Sequence, residues 1–405
     1  MNFRRFSIWS AGAVLAIFVA YASYVIVNQV RAPSARSPSF PWHTATSEAN
    51  FAYAGFAARR ARDPQASVGA RELRLAQQAY RVEPLSSAAL GLIIVSKEDK
   101  SPVGTRRKLL GLAGKLSRRS SLITSASIEA AALEDDQNLF FNWLSRAVLT
   151  DSRLRASYVG AMAEATARNG AVEALLPVLG SKPSWAKYYW AAVASRAPSL
   201  ANAATLRVAV SRPPWNQAEI MDTDYALAWR LVGAGQFDNA RQLARMFEKS
   251  APNISSTNNL LVNGNFARQP LLPPLDWALA TSGHLGSSID AKGKRLTISA
   301  IAGAFGNAAR QLIDLEPGNY RVAWTIEANE AIGDDSLSVN LACAEKGVPN
   351  IAIPQMNLAM GTHHQDIVVP TGDCRWYWFS IDAHVPDDSA GFDAFLSKLS
   401  LTRLR

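Results

Sequence analysis

The sequence predicts a multidomain chain in which an α-helical solenoid precedes an antiparallel β-sandwich of the jelly-roll kind, behind an apolar N-terminal segment. Three observations carry this. Ile8 to Val27 is almost continuously apolar, residues 44–256 show helical periodicity with few β-branched runs, and from residue 258 the apolar period becomes two. The expected division is a transmembrane anchor over 1–30, a linker over 31–43, the solenoid over 44–256 and the sandwich over 258–405. The seam is Asn258 to Trp277, NNLLVNGNFARQPLLPPLDW, with helix before it and strand after it.

A chain of 405 residues holds two or three domains, and 48% hydrophobic with 19% charged residues belongs to a folded protein. The formal net charge of +9 gives a basic surface that favours solubility or contact with anionic lipid and polysaccharide. Nucleic-acid binding needs basic residues gathered on one face with aromatics between them. Here arginine is scattered, and the densest run (Arg106, Arg107, Lys108, Lys115, Arg118, Arg119) has helical spacing, which reads as a solvated helix face. No nucleic-acid partner is expected.

Between Phe6 and Val30 there is no charged residue. Some twenty apolar residues at about 1.5 Å each reach roughly 30 Å, the thickness of a bilayer's hydrocarbon core. Arg4 and Arg5 precede the stretch, and Trp9, Tyr21 and Tyr24 lie towards its ends. That pattern predicts a single pass through the inner membrane with the bulk in the periplasm, although Arg31 and Arg36 pull the other way. A cleaved signal peptide is the competing reading, since Ala20-Tyr21-Ala22 resembles a cleavage site. The apolar run continues beyond that site to Val27, which favours the uncleaved anchor. Arg31 to Pro41, rich in Pro and Ser, is the linker.

In the helical half, Tyr225 to Ala240 reads as a helix that ends at a glycine and a second helix that begins after Phe237. Ala240, Ala244, Phe247 and Pro252 continue it at spacings of four, three and five residues. These residues resemble a tetratricopeptide repeat, whose small residues let paired helices approach and whose proline stops the second helix. Fainter units lie at Ala76, Ala79 and Pro84, at Leu139, Trp143 and Ala147, at Leu175, Leu179 and Pro183, and at Leu206, Val210 and Pro213. The resemblance implies a curved surface that binds a partner protein or peptide, with a rigid spacer as the plainer alternative. Trp185, Tyr188, Tyr189, Trp190, Trp215 and Trp229 read as solenoid core.

Beyond the seam, Tyr320, Val322, Trp324 and Ile326 alternate with Arg321, Ala323, Thr325 and Glu327, as in a half-buried strand after the Pro317-Gly318-Asn319 turn. Leu296, Ile298 and Ala300 form a second inward set, Leu337, Val339, Leu341 and Cys343 a third, and Phe395 to Leu401 a closing strand. About eight to ten such strands make a jelly roll. Cys343 and Cys374 lie in this half and suit a disulfide in an oxidising compartment, with two separate buried thiols as the alternative. A bridge there contributes about 3–4 kcal/mol in the chain-entropy picture.

The opening Asn259-Leu-Leu-Val-Asn-Gly-Asn-Phe266, the Leu315 to Tyr320 turn and the closing strand resemble those of carbohydrate-binding modules and other galactose-binding-like domains. That resemblance implies a glycan-binding sandwich. Many such modules hold a structural calcium with two carboxylates at positions that fall on Ala267 and Ser397 here, so no metal is expected. Within Cys374 to Asp382, Tyr377, Phe379 and Ile381 share one strand face and Trp376, Trp378, Ser380 and Asp382 the other. The second set is the candidate glycan site, because indole rings cover the apolar face of a pyranose while polar groups bind its hydroxyls. The alternative is that helices or a loop cover this face. Trp277 reads as core.

No catalytic signature is present: there is no GxSxG, HExxH, P-loop or Rossmann motif. His363 and His364 point to opposite sides of a strand, and Asp334-Asp335 and Asp387-Asp388 lie in turn-like stretches. The expectation is a non-enzymatic, cofactor-free scaffold in bacterial envelope or exopolysaccharide assembly that binds glycan through its sandwich and a protein through its repeats. A purely structural interaction scaffold is the first rival, and a glycan-active enzyme with two carboxylates facing across one cleft the second.

Overall fold

The computed structural model describes residues 16–23, 44–63, 65–96, 103–117, 120–248, 258–330, 332–333, 335–348 and 353–404. Of the apolar stretch it describes only helix α1 over residues 16–23. Among the described residues no helix is long and apolar enough to cross a membrane. The expected single-pass placement in the inner membrane, with the bulk in the periplasm, is corrected by this finding. The envelope role built on it loses its basis. The rest of the expected anchor, the 31–43 linker and Pro252 lie outside the described residues.

Two compact units divide the chain, Met1–Val159 and Gly160–Arg405. The first unit contains helices α2 (Ala45–Arg60), α3 (Ala70–Val82), α4 (Ser87–Val95), α5 (Val103–Leu116), α6 (Ser121–Leu133) and α7 (Gln137–Thr150). Their starts follow side-chain capping rules. Ser86, Ser120 and Asp136 each accept a hydrogen bond from the backbone N–H three residues on, and Thr44 forms a capping box with Ser47. The interior is built from small and branched residues. Ala49, Ala52, Ala76, Ala79 and Ala89 are buried beside Phe56, Leu92 and Ile123, so the helices pack closely.

The boundary between units falls within α8 (Arg155–Ala165). The second unit continues with α9 (Ala171–Gly180), α10 (Ala186–Val193), a short 3-10 turn (Ala197–Ser199), α11 (Leu200–Val210), α12 (Asp222–Gly233) and α13 (Phe237–Glu248). Helices α9, α11 and α13 pack in succession, as do α10 and α12. They begin at Ala171, Leu200 and Phe237, so the spacing is uneven rather than the fixed period of a tetratricopeptide array. What stands is a helical region. The α12–α13 pair nevertheless has its expected bounds: Gly235 at φ +74° closes α12, and Ala240, Ala244 and Phe247 are buried on α13. Trp185, Tyr189 and Trp190 are core as anticipated, whereas Tyr188 and Trp229, also read as core, are exposed. Arg207 is buried with Asp224, donating to it at 2.8 and 3.0 Å and also to the carbonyls of Gln217 and Glu219.

Among the described residues ten strands follow: β1 (Ala278–Leu279), β2 (Leu285–Asp290), β3 (Arg295–Ala300), β4 (Phe305–Asp314), β5 (Gly318–Ala328), β6 (Leu337–Cys343), β7 (Met356–Asn357), β8 (Gly361–Val369), β9 (Trp376–His384) and β10 (Phe392–Arg403). They form two five-stranded antiparallel sheets of order β1-β4-β9-β6-β7 and β2-β3-β10-β5-β8. The inward sets read from the sequence enclose one core: Leu296, Ile298, Tyr320, Val322, Trp324, Ile326, Leu337, Val339 and Leu341 are buried there with Tyr377, Phe379 and Ile381. A register shift between Leu396 and Lys398 lets β10 keep both Leu396 and Leu399 inside.

The seam motif is a structural clasp. The Asn259 side chain donates to the Leu399 carbonyl at 3.0 Å and accepts from the Leu401 N–H at 2.9 Å, pinning the incoming chain to β10. A Cβ at Gly264 would stand 2.4 Å from the Leu399 carbonyl, so only glycine fits. Phe266 and Trp277 pack together in the core, and the Trp277 indole N–H donates to the Asn263 carbonyl at 3.2 Å. Cys343 and Cys374 form a disulfide, which joins the end of β6 to the residues before β9.

Candidate functional site

The outer face of the β1-β4-β9-β6-β7 sheet follows from strand alternation. Tyr377, Phe379, Ile381 and Ala383 of β9 point into the core, so Trp376, Trp378, Ser380, Asp382 and His384 lie on the opposite side. The register adds Asp314, Leu312, Arg310, Asn307 and Phe305 from β4, and Ala342, Asn340 and Ser338 from β6. The four predicted site residues therefore do share one face. They do not share one environment.

One end of the face is covered by α12 and α13. Trp376 is only 3% exposed: the Phe237 ring lies 5.5 Å from it, and the Arg241 and Arg375 guanidinium groups lie 5.7 and 5.6 Å from its centroid. Trp378 stacks on Trp229 of α12 at 6.3 Å. Arg375 grips Asp314 with two hydrogen bonds of 2.9 and 2.8 Å, and Arg241 of α13 donates to the same carboxylate. The neighbouring Asp314 holds the Arg375 guanidinium protonated beyond its ordinary range. Lys346 donates to the Gly233 carbonyl at the end of α12 at 2.8 Å. A cavity of about 120 Å³ remains between α13 and the sheet, lined by Arg241, Ala244, Gln311, Asp314 and Trp376 among others. Trp376 is thus buried under α13, while Trp378, stacked on the exposed Trp229, stays partly open, and Ser380 is 5% exposed.

The other end is open. Phe305 is 83% exposed, and its ring meets that of His384 edge to face at 5.9 Å. Beside it the Asn307 amide donates to the Asp382 carboxylate, and Asp382 stands opposite Ser338 in the register. Gln355 donates to the Ser338 hydroxyl at 2.7 Å, and Asn357 to Asp335 at 2.6 Å. An exposed ring therefore sits next to the Asn307 amide and the Asp382 carboxylate on the same side of the sheet. Of the predicted set only Asp382 belongs to this end. The sequence reading missed Phe305 and Asn307; the signal was an aromatic in the outward register of a strand, visible only once β4 is paired with β9.

Neither family models nor curated proteins give a match to this chain. Solved structures match its C-terminal sandwich. One described as "CBM4 structure and function" shares 13% identity over 36% of this chain and 99% of that one, with a TM-score of 0.28. A second, TmCBM61 in complex with β-1,4-galactotriose, shares 13% over 36% of this chain and all (100%) of that one, with a TM-score of 0.26. The second N-terminal cellulose-binding domain of a Cellulomonas fimi β-1,4-glucanase shares 19% over 38% and 99%, with a TM-score of 0.24. At these TM-scores the likeness carries no argument, and function is left to the geometry of the face.

Proposed function

We propose that this chain is a non-enzymatic glycan-binding protein whose sandwich takes its ligand at the open end of the outer sheet face. The observation that carries this is Phe305, a large apolar ring held almost fully in water beside Asn307, Asp382 and His384. An exposed ring gains by covering the apolar side of a sugar, and adjacent amide and carboxylate groups exchange water for ring hydroxyls. The covered end serves a different purpose: it fixes the sheet to α12 and α13, so the site is presented on a rigid support. A panel of neutral and acidic polysaccharides cast into native gels tests the reading. The protein is expected to be retarded by at least one of them, and Asn307→Ala with Asp382→Ala is expected to abolish the retardation. Unaltered migration in every gel overturns it.

The rival reading, a structural scaffold without a sugar ligand, is favoured by the use of Trp376 and Trp378 inside the chain. It predicts unaltered migration in every gel.

A further inference from the structure

A groove of about 630 Å³ runs across α5, α6 and α7 in the first unit. Its lining has helical spacing on each wall: Leu110, Gly111 and Gly114 from α5, Ser127, Ala130 and Glu134 from α6, and Leu139, Asn142, Trp143 and Arg146 from α7. The floor is apolar. Trp143 is packed so closely on α5 that a Cβ at Gly114 would stand 2.6 Å from its ring. At Gly111 the opposite holds, with no atom within 4 Å of an added Cβ, so the groove is open there.

The rim is cationic. Among the described residues Arg107, Lys115 and Arg146 line the groove with one carboxylate, Glu134. Arg107 is engaged by Glu134 at 3.6 Å and Asp136 at 2.7 Å. Among the described residues Lys115 and Arg146 have no carboxylate partner, and Arg146 lies over the Trp143 ring at 4.7 Å. Two uncommitted cations flanking an apolar trough complement a ligand that is apolar along one side and negatively charged beside it. Asn142 donates its amide to the Asn138 carbonyl at 2.7 Å, which leaves its own carbonyl oxygen as an acceptor at the groove wall. A helical peptide supplies side-chain hydroxyl or amide donors, or a first-turn N–H, for that acceptor; a fatty-acyl chain does not.

We propose that this groove docks an acidic amphipathic peptide segment of a partner protein, its apolar side chains on Leu110, Leu139 and Trp143 and its carboxylates on Lys115 and Arg146. This is the helix-in-groove mode, in which anchors three to four residues apart enter an apolar trough. It does not depend on the sandwich binding sugar.

The test pans the full chain against a random dodecapeptide display library and measures the enriched peptides, synthesised with a fluorophore, by anisotropy. Phosphatidylglycerol vesicles form a parallel arm. Enriched sequences are expected to carry two apolar anchors three or four apart with flanking Asp or Glu. Gly111→Leu, whose Cβ meets no atom within 4 Å, places a side chain in the trough and is expected to weaken binding at least tenfold. The exposed pair Lys115→Glu with Arg146→Glu, which leaves the core untouched, is expected to weaken it tenfold or more and to remove its salt dependence. No enrichment, enrichment without acidic residues, or affinity unchanged in both variants overturns the proposal. So does vesicle binding that Gly111→Leu abolishes while peptides fail to bind.

Discussion

Trp229 of α12 and Trp378 of β9 stack with their ring centroids 6.3 Å apart and their planes 23° apart, and the Arg310 guanidinium lies 5.3 and 4.7 Å from the two rings. A helix residue and a strand residue thus share one cation. A double-mutant cycle with Trp229→Ala and Trp378→Ala in urea unfolding is expected to give a coupling of about 0.5–1.5 kcal/mol, the range for aromatic pairs beyond their buried area. Additive effects would mean that helix and sheet merely touch there.

Asp314 is the polar counterpart of that contact. It accepts from Arg375 on its own sandwich and from Arg241 on α13, and its side chain is 14% exposed. Asp314→Asn keeps the shape and removes the charge that two guanidinium groups converge on. A loss of about 1–2 kcal/mol is expected in denaturant unfolding, moderated because both arginines are partly solvated. Arg241→Ala should then have little further effect in the Asp314→Asn background.

A larger cost is expected at Arg207 and Asp224, which are 1% exposed each. Removing Asp224 strands a buried guanidinium, and Asp224→Ala is expected to cost about 3–5 kcal/mol. Exchanging both partners for apolar residues of similar volume should recover part of that, read as a rise in the urea midpoint.

The Cys343–Cys374 disulfide spans a sequence separation of 31 residues. Replacing both cysteines by serine is expected to lower stability by about 3–4 kcal/mol, because the unfolded chain regains the freedom the bridge removed. Equal midpoints with and without reductant in the wild type would contradict this.

Much of the architecture was legible because it rests on local periodicity. The alternation at Tyr320 to Ile326 reports a strand buried on one side, and the two faces of Trp376 to Asp382 fall where that alternation puts them. What the sequence could not show is which outer surface another element covers. That depends on the contact between Trp229 and Trp378, residues far apart in the chain, and a tryptophan on an outward register position reads the same whether it meets sugar or helix. The bridge between Cys343 and Cys374 was open to a second reading until β6 and the entry to β9 were seen side by side. In the helical half what was legible is the helices themselves, such as α12 and α13 with Gly235 between them; the repeat reading is not supported, since helix starts are unevenly spaced. At the N-terminus the apolar run predicted a membrane span, and among the described residues no helix is long and apolar enough to be one.

The central claim is that sugar meets the sheet at Phe305. Calorimetric titration of the polysaccharide that most retards the protein, against wild type and Phe305→Ala, tests it most directly. Because Phe305 is 83% exposed, its truncation should leave the melting curve unchanged. The account predicts at least a tenfold weaker affinity in the variant. Equal affinity in the two proteins would contradict it.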